Sequence, residues 1–435
     1  MKDQVTVAIV GYGPRGEYVF ARFTESCSFA KLVAVAEPVE QRRERAAKRF
    51  DIPENMLFKS AEEFFAQEKM CDAVIIATSD GTHVKYSLMA AEKGYHILVE
   101  KPLTDNVKEC KDLAEKIKQT GVITSVCHEL RYGSEYASLK KCIEEGKIGE
   151  IVHITQVEPV GYWHQAHSFV RGIWRKKEDS SPMILAKCCH DTDMMLWLTE
   201  KMPKHVSSYG CLSYFKEENA PEGSTEYCMK GCKVKEDCPY DCEKYYLRNG
   251  IPSDAPDYVK NSPNLKFVIT KDEPTDENIR KALLETNYGK CVFRAGNDVV
   301  DHQVVNISFE GGATGQLLML AFTAGGEGRY THIYGTLGEL ILENGYIRER
   351  IFGKSDVIRD FTETEDLELY GHDSCDKHLI EEFYRTILAR KNGENAVLSS
   401  SIEMSVMGHV VAILAEKSRL EDGKSLDVQE EIEKA

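Results

Sequence analysis

Val5–Val10 is a β-branched apolar run that passes directly into Gly11-Tyr12-Gly13-Pro14-Arg15-Gly16, and a helical pattern with Val19, Phe20 and Phe23 on one side follows. A G-x-G-x-x-G segment alone means little. Set between a strand and a helix, it leaves few folds open and points to a dinucleotide-binding turn. Gly11 permits the tight turn, Gly13 lets a pyrophosphate approach the backbone, and Gly16 lets helix and strand pack closely. Tyr12, Pro14 and Arg15 complete the loop, and the helix N-terminus offers free N–H groups to phosphates. Glu37 follows the next strand-like run, 21 residues beyond Gly16. A carboxylate there accepts from ribose hydroxyls and repels a 2′-phosphate, which favours NAD over NADP. Arg42 and Arg43, close behind, keep NADP open as the lesser expectation.

The rest of the first half keeps the same rhythm. Strand-like runs at 32–36, 73–77, 96–99 and 122–126 alternate with helical patterns at 41–50, 83–93 and 107–120. This predicts an α/β fold with a doubly wound parallel sheet, a Rossmann domain over residues 1–125. Beyond it the pattern changes. Runs at 151–157, 304–309, 314–322, 330–334 and 339–342 lie next to one another, and Gly311-Gly312 reads as a hairpin turn. Residues 126–435 are therefore expected to form an α+β domain with a large, mostly antiparallel open sheet. Helical patterns stand at 183–198, 376–389 and 402–418, and residues 210–263 read as a Cys-rich insertion too polar for a core of its own.

A chain of 435 residues has room for two such domains. Its 55 basic and 71 acidic residues leave a net charge of −16, which argues against nucleic acid as a partner. No apolar run approaches the ~18 residues of a membrane span, so no membrane partner is expected. The opening MKDQVTVAIVG lacks a signal-peptide layout, and a cytoplasmic location is the expectation. Of the 14 cysteines most are scattered singly and read as buried free thiols. Cys228, Cys232, Cys238 and Cys242 differ. Four thiolates in C-x3-C-x5-C-x3-C could close a zinc site or hold an iron–sulfur cluster, with Cys291 or Cys211 able to replace one ligand.

Glu100-Lys101-Pro102 closes the fourth strand, and strand carboxyl ends line the ligand crevice of a doubly wound sheet. An ammonium at Lys101 can orient a reacting hydroxyl and share its proton. Together with the glycine loop and Glu37, the segments Ala77-Thr78-Ser79-Asp80-Gly81-Thr82-His83, Glu100-Lys101-Pro102, His190-Asp191-Thr192-Asp193 and Gly335-Thr336-Leu337-Gly338 resemble the Gfo/Idh/MocA oxidoreductases. The resemblance implies NAD(P) across the strand ends, with Thr78, Ser79, His83, Glu100 and Lys101 beside it. It implies a substrate against the open face of the second sheet, Lys101 and His190 serving the reacting carbinol, and His190 as the general base. It also implies a homodimer or homotetramer through that sheet. Many relatives carry an aspartate four residues before the histidine; here Ala186 stands there and Lys187 follows. On a continuous helix Lys187 and His190 share a face, and the lysine favours a neutral imidazole.

The segment Gly161-Tyr162-Trp163-His164-Gln165-Ala166-His167-Ser168-Phe169-Val170-Arg171-Gly172-Ile173-Trp174 holds two of the three tryptophans. Aromatic faces for sugar CH patches, with His and Arg for hydroxyls, suit a carbohydrate site. Trp163, His164, His167, Arg171 and Trp174 are thus substrate-binding candidates, with Asp191 and His302 beside them. Asp298 and Asp301 are weaker ones. The expected function is oxidation of a ring hydroxyl of a sugar, glycoside or cyclitol to a ketone by hydride transfer to NAD. The alternatives are a redox-neutral glycosidase that oxidises transiently and, from another class, a non-catalytic NAD-binding regulator.

Overall fold

The computed structural model describes residues 4–248, 265–270, 272–324, 328–362 and 373–435. Part of the insertion, 249–263, lies outside them. The first sheet joins β1 (Val5–Val10), β2 (Ala30–Ala36), β3 (Leu57–Phe58), β4 (Ala73–Ile76), β5 (His96–Val99) and β6 (Thr124–Val126), all parallel, in the order β3-β2-β1-β4-β5-β6. This is the doubly wound order, with its switch point between β1 and β4. The central strands are buried on both faces, which is why they read as unbroken Val/Ile runs. β3 escapes the sequence pattern because it is two residues long.

The second sheet joins β7 (Ile151–Gly161), β8 (Pro203–Cys211), β9 (His302–Phe309), β10 (Thr314–Thr323), β11 (Tyr330–Gly335), β12 (Gly338–Glu343), β13 (Tyr346–Ile351), β14 (Val357–Asp360) and β15 (Leu426–Asp427). Its order is β14-β13-β12-β11-β7-β10-β9-β8-β15, and only β7 and β10 run parallel. One face is covered by the helices Cys189–Thr199 and Ile402–Leu420. On the other, Val157, Val304, Leu318 and Leu320 are half-buried while their strand neighbours Leu317, Met319 and Val305 are fully buried.

Three features depart from the sequence reading. The helix Asp373–Lys391, expected to close the second domain, packs on the first sheet: Leu379, Ile380, Phe383 and Tyr384 share a core with Val5, Val7 and Ile9. The helical run at 183–198 is two helices, Met183–Ala186 and Cys189–Thr199, with a turn at Lys187 and Cys188. The insertion does build a small core, in which Cys228, Cys242, Tyr246 and Leu247 pack against Ile279 and Leu283 of the helix Asp276–Glu285. Among the described residues no helix is long and apolar enough to cross a membrane.

Candidate active site

The glycine turn is as tight as its sequence requires. Gly11 has φ +94°, and a Cβ there would lie 2.4 Å from the Ala77 carbonyl oxygen; one on Gly16 would lie 2.2 Å from the Gly11 oxygen. At Gly13 a Cβ would meet only the Arg42 guanidinium, at 3.8 Å, so the backbone there is open to a phosphate. The cradle fits a dinucleotide. Tyr12 contributes only its backbone, because its ring is fully buried. Its N–H donates to Glu37 Oε2 at 2.8 Å, and the Val39 N–H donates to Oε1 at 3.0 Å. Oε2 keeps a lone pair for a ribose hydroxyl, while Oε1 also accepts from Arg42 Nη1. Arg43 is spent on the carbonyls of Glu37 and Pro38, and Arg42 lies 3.5 Å from Glu37.

Several of the expected cofactor contacts carry structural duties. His83 is buried, with Nδ1 2.7 Å from the Pro102 oxygen and Nε2 3.1 Å from the Thr78 oxygen, so it ties the two loops together and offers no surface to a ligand. Thr78 shares a hydroxyl hydrogen bond with Thr82, and the Ser79 carbonyl accepts from Thr82. Pro14 remains an exposed part of the turn. Arg15 reaches across the crevice to Glu100 at 2.5 Å and holds Asp376 with two bonds of 2.8 Å. Burial pushes the Glu100 carboxyl up, but Arg15 and Lys101 outweigh it and hold it below its ordinary value.

Lys101, joined to Pro102 by a cis peptide, sends Nζ to the Ala186 carbonyl at 3.1 Å. This bond brings the end of β5 against the start of the Cys189–Thr199 helix, where His190 sits, 5% exposed. The His190 Nε2 lies 3.4 Å from Oε1 of Glu129. Glu129 follows β6 and was not foreseen. Burial, and then the charge of Asp376, push its carboxyl up to about 7. Lys101, His190 and Glu129 thus meet where two strand ends and a helix start converge, on the helix-covered side of the second sheet. The trio thus lies on the opposite side of the sheet from the open face, where the substrate is expected.

Lys187 does not share a helix face with His190. The break after Ala186 turns it to Glu158, at 3.3 Å. Glu158, fully buried, also takes Arg329 at 2.8 Å, and Arg329 in turn holds Asp191 at 2.9 Å, which accepts from Gln156 as well. Lys187 is therefore a neutralised member of a buried chain of charges, and Asp191 is fully committed within it. A second buried trio, Arg131, His128 and Asp193, lies behind: Asp193 is 2.7 Å from His128 Nδ1 and holds Arg131 through both oxygens. His128, Cys189 and His409 bring ligand atoms within 4.8 Å of one another, close enough by distance for a cation. Both His409 ring nitrogens are already used, by Ser405 O and Leu103 N–H, so the trio serves packing.

The aromatic segment divides. Trp174 stays at the cleft, its Nε1 donating to Asp80 of the cofactor loop at 3.2 Å. His164 is half-buried and stacks on Trp163. Trp163 is buried against Tyr245, and His167 is held by the Tyr246 hydroxyl at 2.5 Å; burial lowers the His167 pKa to about 3. These two pack under the insertion rather than face a ligand. Arg171 is buried beneath it too, donating to the carbonyls of Lys290 and Tyr240. Gln165, which drew no notice in the sequence, is fully buried with no hydrogen-bond partner for either side-chain polar atom among the described residues. Asp301 is consumed by Ser213, Tyr214 and His302, and Asp298 by the Lys177 N–H, so none of Asp298, Asp301 and His302 joins the centre. Cys228, Cys232 and Cys238 line one cavity, but its fourth cysteine is Cys291, not Cys242.

The family descriptions "Oxidoreductase family, NAD-binding Rossmann fold" and "Oxidoreductase family, C-terminal alpha/beta domain" match residues 5–128 and 140–418. A scyllo-inositol 2-dehydrogenase (NAD(+)) of Bacillus subtilis (strain 168) is 37% identical over 155 residues, 35% of this chain and 44% of that protein. A 2,7-anhydro-N-acetylneuraminate hydratase of Escherichia coli (strain K12) is 27% identical over 208 residues, 47% of this chain and 52% of that one. The chain thus spans about half the length of these curated relatives. An oxidoreductase from Agrobacterium radiobacter, solved with NAD+, L-tartaric acid and magnesium, superimposes with a TM-score of 0.68 at 13% identity, covering 98% of this chain and 99% of that one. The chain belongs to the Gfo/Idh/MocA oxidoreductase family, with an NAD-binding Rossmann fold followed by the family's C-terminal α/β domain.

Proposed function

We propose that this protein oxidises a ring hydroxyl of a cyclitol or related sugar to a ketone, with NAD as the acceptor. The observation that carries the reading is the meeting of Lys101, His190 and Glu129 at the mouth of the dinucleotide crevice. NAD, when bound across the strand ends, supplies the hydride acceptor. Lys101 orients the substrate oxygen through its ammonium, and His190 takes the hydroxyl proton as the carbon gives up hydride. Glu129 stabilises the imidazolium so formed. Trp174, His164 and Gln165 are the candidates for the sugar's CH face and its remaining hydroxyls. Similarity to a scyllo-inositol dehydrogenase supports a cyclitol. The carboxylate of Glu37 supports NAD over NADP, and the half-buried apolar residues on the uncovered sheet face support a homo-oligomer.

Lys101→Ala and His190→Ala should each lower turnover by ~10²–10⁴ with NAD affinity nearly unchanged, because each acts on the proton. Steady-state rates and NAD titrations on both variants check this. Wild-type turnover at saturating substrate would remove that residue from the mechanism. Similarity to a hydratase supports a second reading, in which oxidation is transient and the hydride is returned within the same turnover.

A further inference from the structure

Cys228, Cys232, Cys238 and Cys242 of the insertion and Cys291 beyond it are free thiols, and four of these five, Cys228, Cys232, Cys238 and Cys291, line one cavity of about 20 Å³. Their gathering is built into the backbone. An antiparallel bridge pairs Tyr227 with Lys290, the Cys228 N–H donates to the Gly289 oxygen, and the Cys291 N–H to the Glu226 oxygen, so Cys228 and Cys291 stand side by side although 63 residues apart. Gly231, at φ +80°, turns the chain back towards Cys232. Cys238 lies just before the Asp241 cap of the helix Cys242–Leu247. Cys242 itself is fully buried in the insertion's small core and bonds the Gly289 carbonyl.

A second observation concerns charge. Arg171 is 3% exposed. Its guanidinium donates to two carbonyls and to the Cys228 sulfur at 3.6 Å, and it pairs with no carboxylate among the described residues. A buried cation without a counter-charge is costly, and neutral thiols do not compensate it. Thiolates do.

We propose that Cys228, Cys232, Cys238 and Cys291 hold a [4Fe–4S] cluster, with Arg171 as its counter-cation. Spacing decides between a cluster and a zinc ion. Zinc holds its sulfurs at about 2.3 Å, so four of them stand about 3.8 Å apart and leave no room for a water-sized sphere. Here no three of these five sulfurs lie within 4.8 Å of one another, and four of them line a cavity that admits one. A cube of iron and sulfide places each thiolate on a different iron and spreads them further than one ion does. The four thiolates and a doubly positive cube leave two negative charges, one of which Arg171 offsets at its Cys228 edge. The cluster's role is to pin the wall of the cleft. Arg171 ends the turn that leads to Trp174, and Trp174 is bonded to Asp80 of the cofactor loop.

The test is iron, acid-labile sulfide and zinc content of the full chain purified without oxygen or chelator, with Cys291→Ser and Cys242→Ser alongside. The expected result is about four irons and about four sulfides per chain with no stoichiometric zinc. Cys291→Ser loses most of the iron and Cys242→Ser keeps it, while NAD titration shows the Rossmann domain folded in both. One zinc and no iron overturns the cluster; neither metal overturns the site. Iron that survives in Cys291→Ser but is lost in Cys242→Ser overturns the ligand set.

Discussion

Glu129 stands between Asp376, Glu100, Arg15 and Lys101, and its proton is exchanged near neutrality because burial and the Asp376 charge raise its pKa to about 7. Only the ionised carboxylate can stabilise a protonated His190, so kcat/KM should rise through about pH 7 and level off above it. Glu129→Gln should lose that rise and settle on a lower plateau; a pH–rate profile of both proteins checks this. The stability sign is the reverse. The folded pKa is raised above the ordinary 4.5, so the proton's contribution is complete below about 4.5 and is lost as pH climbs through about 7. Glu37 makes the second residue-scale prediction. NAD should bind at least tenfold tighter than NADP, about 1.4 kcal/mol. Glu37→Ala should erase most of that difference in a titration with both cofactors. Lys101, His190 and Glu37 were legible because each follows a strand end or a familiar motif. Glu129 carries the same signal, a carboxylate just past a strand end, but β6 is three residues long and its end is hard to place. Lys187, Asp191, His167 and Arg171 misled, because a polar side chain in a cleft segment reads alike whether it faces a ligand or a buried partner.

At the scale of elements, the Rossmann strands were readable because burial on both faces demands unbroken apolar runs. β8 and β13 were not. β8 turns Ser208 inward, where it bonds the Val304 carbonyl and Gln303, and β13 turns Glu349 inward to Lys147 and Arg359. Polar residues satisfied by polar neighbours erase the alternation that marks a half-buried strand. The glycine turn shows the opposite case, in which sequence and geometry agree. Gly11→Ala forces a Cβ to 2.4 Å from a backbone oxygen at φ +94°, while a Cβ on Gly81 meets nothing within 4 Å. Gly11→Ala should therefore cost about 2–4 kcal/mol, and Gly81→Ala almost nothing, as read by thermal unfolding.

At the scale of the molecule, the chain crosses between its two sheets more than once. The helix Asp373–Lys391 returns to complete the first core, and Asp376 on it clamps Arg15 over the crevice. No sequence pattern could assign that helix to a sheet built from strands between Val5 and Val126, because an amphipathic stripe shows that a helix is covered but not by what. The face of the second sheet away from the helices Cys189–Thr199 and Ile402–Leu420 carries the half-buried Val157, Val304, Leu318 and Leu320. If it buries a second copy, Leu318→Glu should shift the protein to monomer in size-exclusion chromatography with light scattering, with its circular dichroism unchanged. The central claim is net hydride transfer from a ring hydroxyl to NAD. Its most direct measurement is NADH formed per chain when the protein is mixed with excess NAD and inositol isomers in turn. The account predicts many equivalents of NADH, matched by inosose, with at least one isomer, and none with His190→Ala. NADH that never exceeds one equivalent, while substrate is converted without net oxidation, would contradict it.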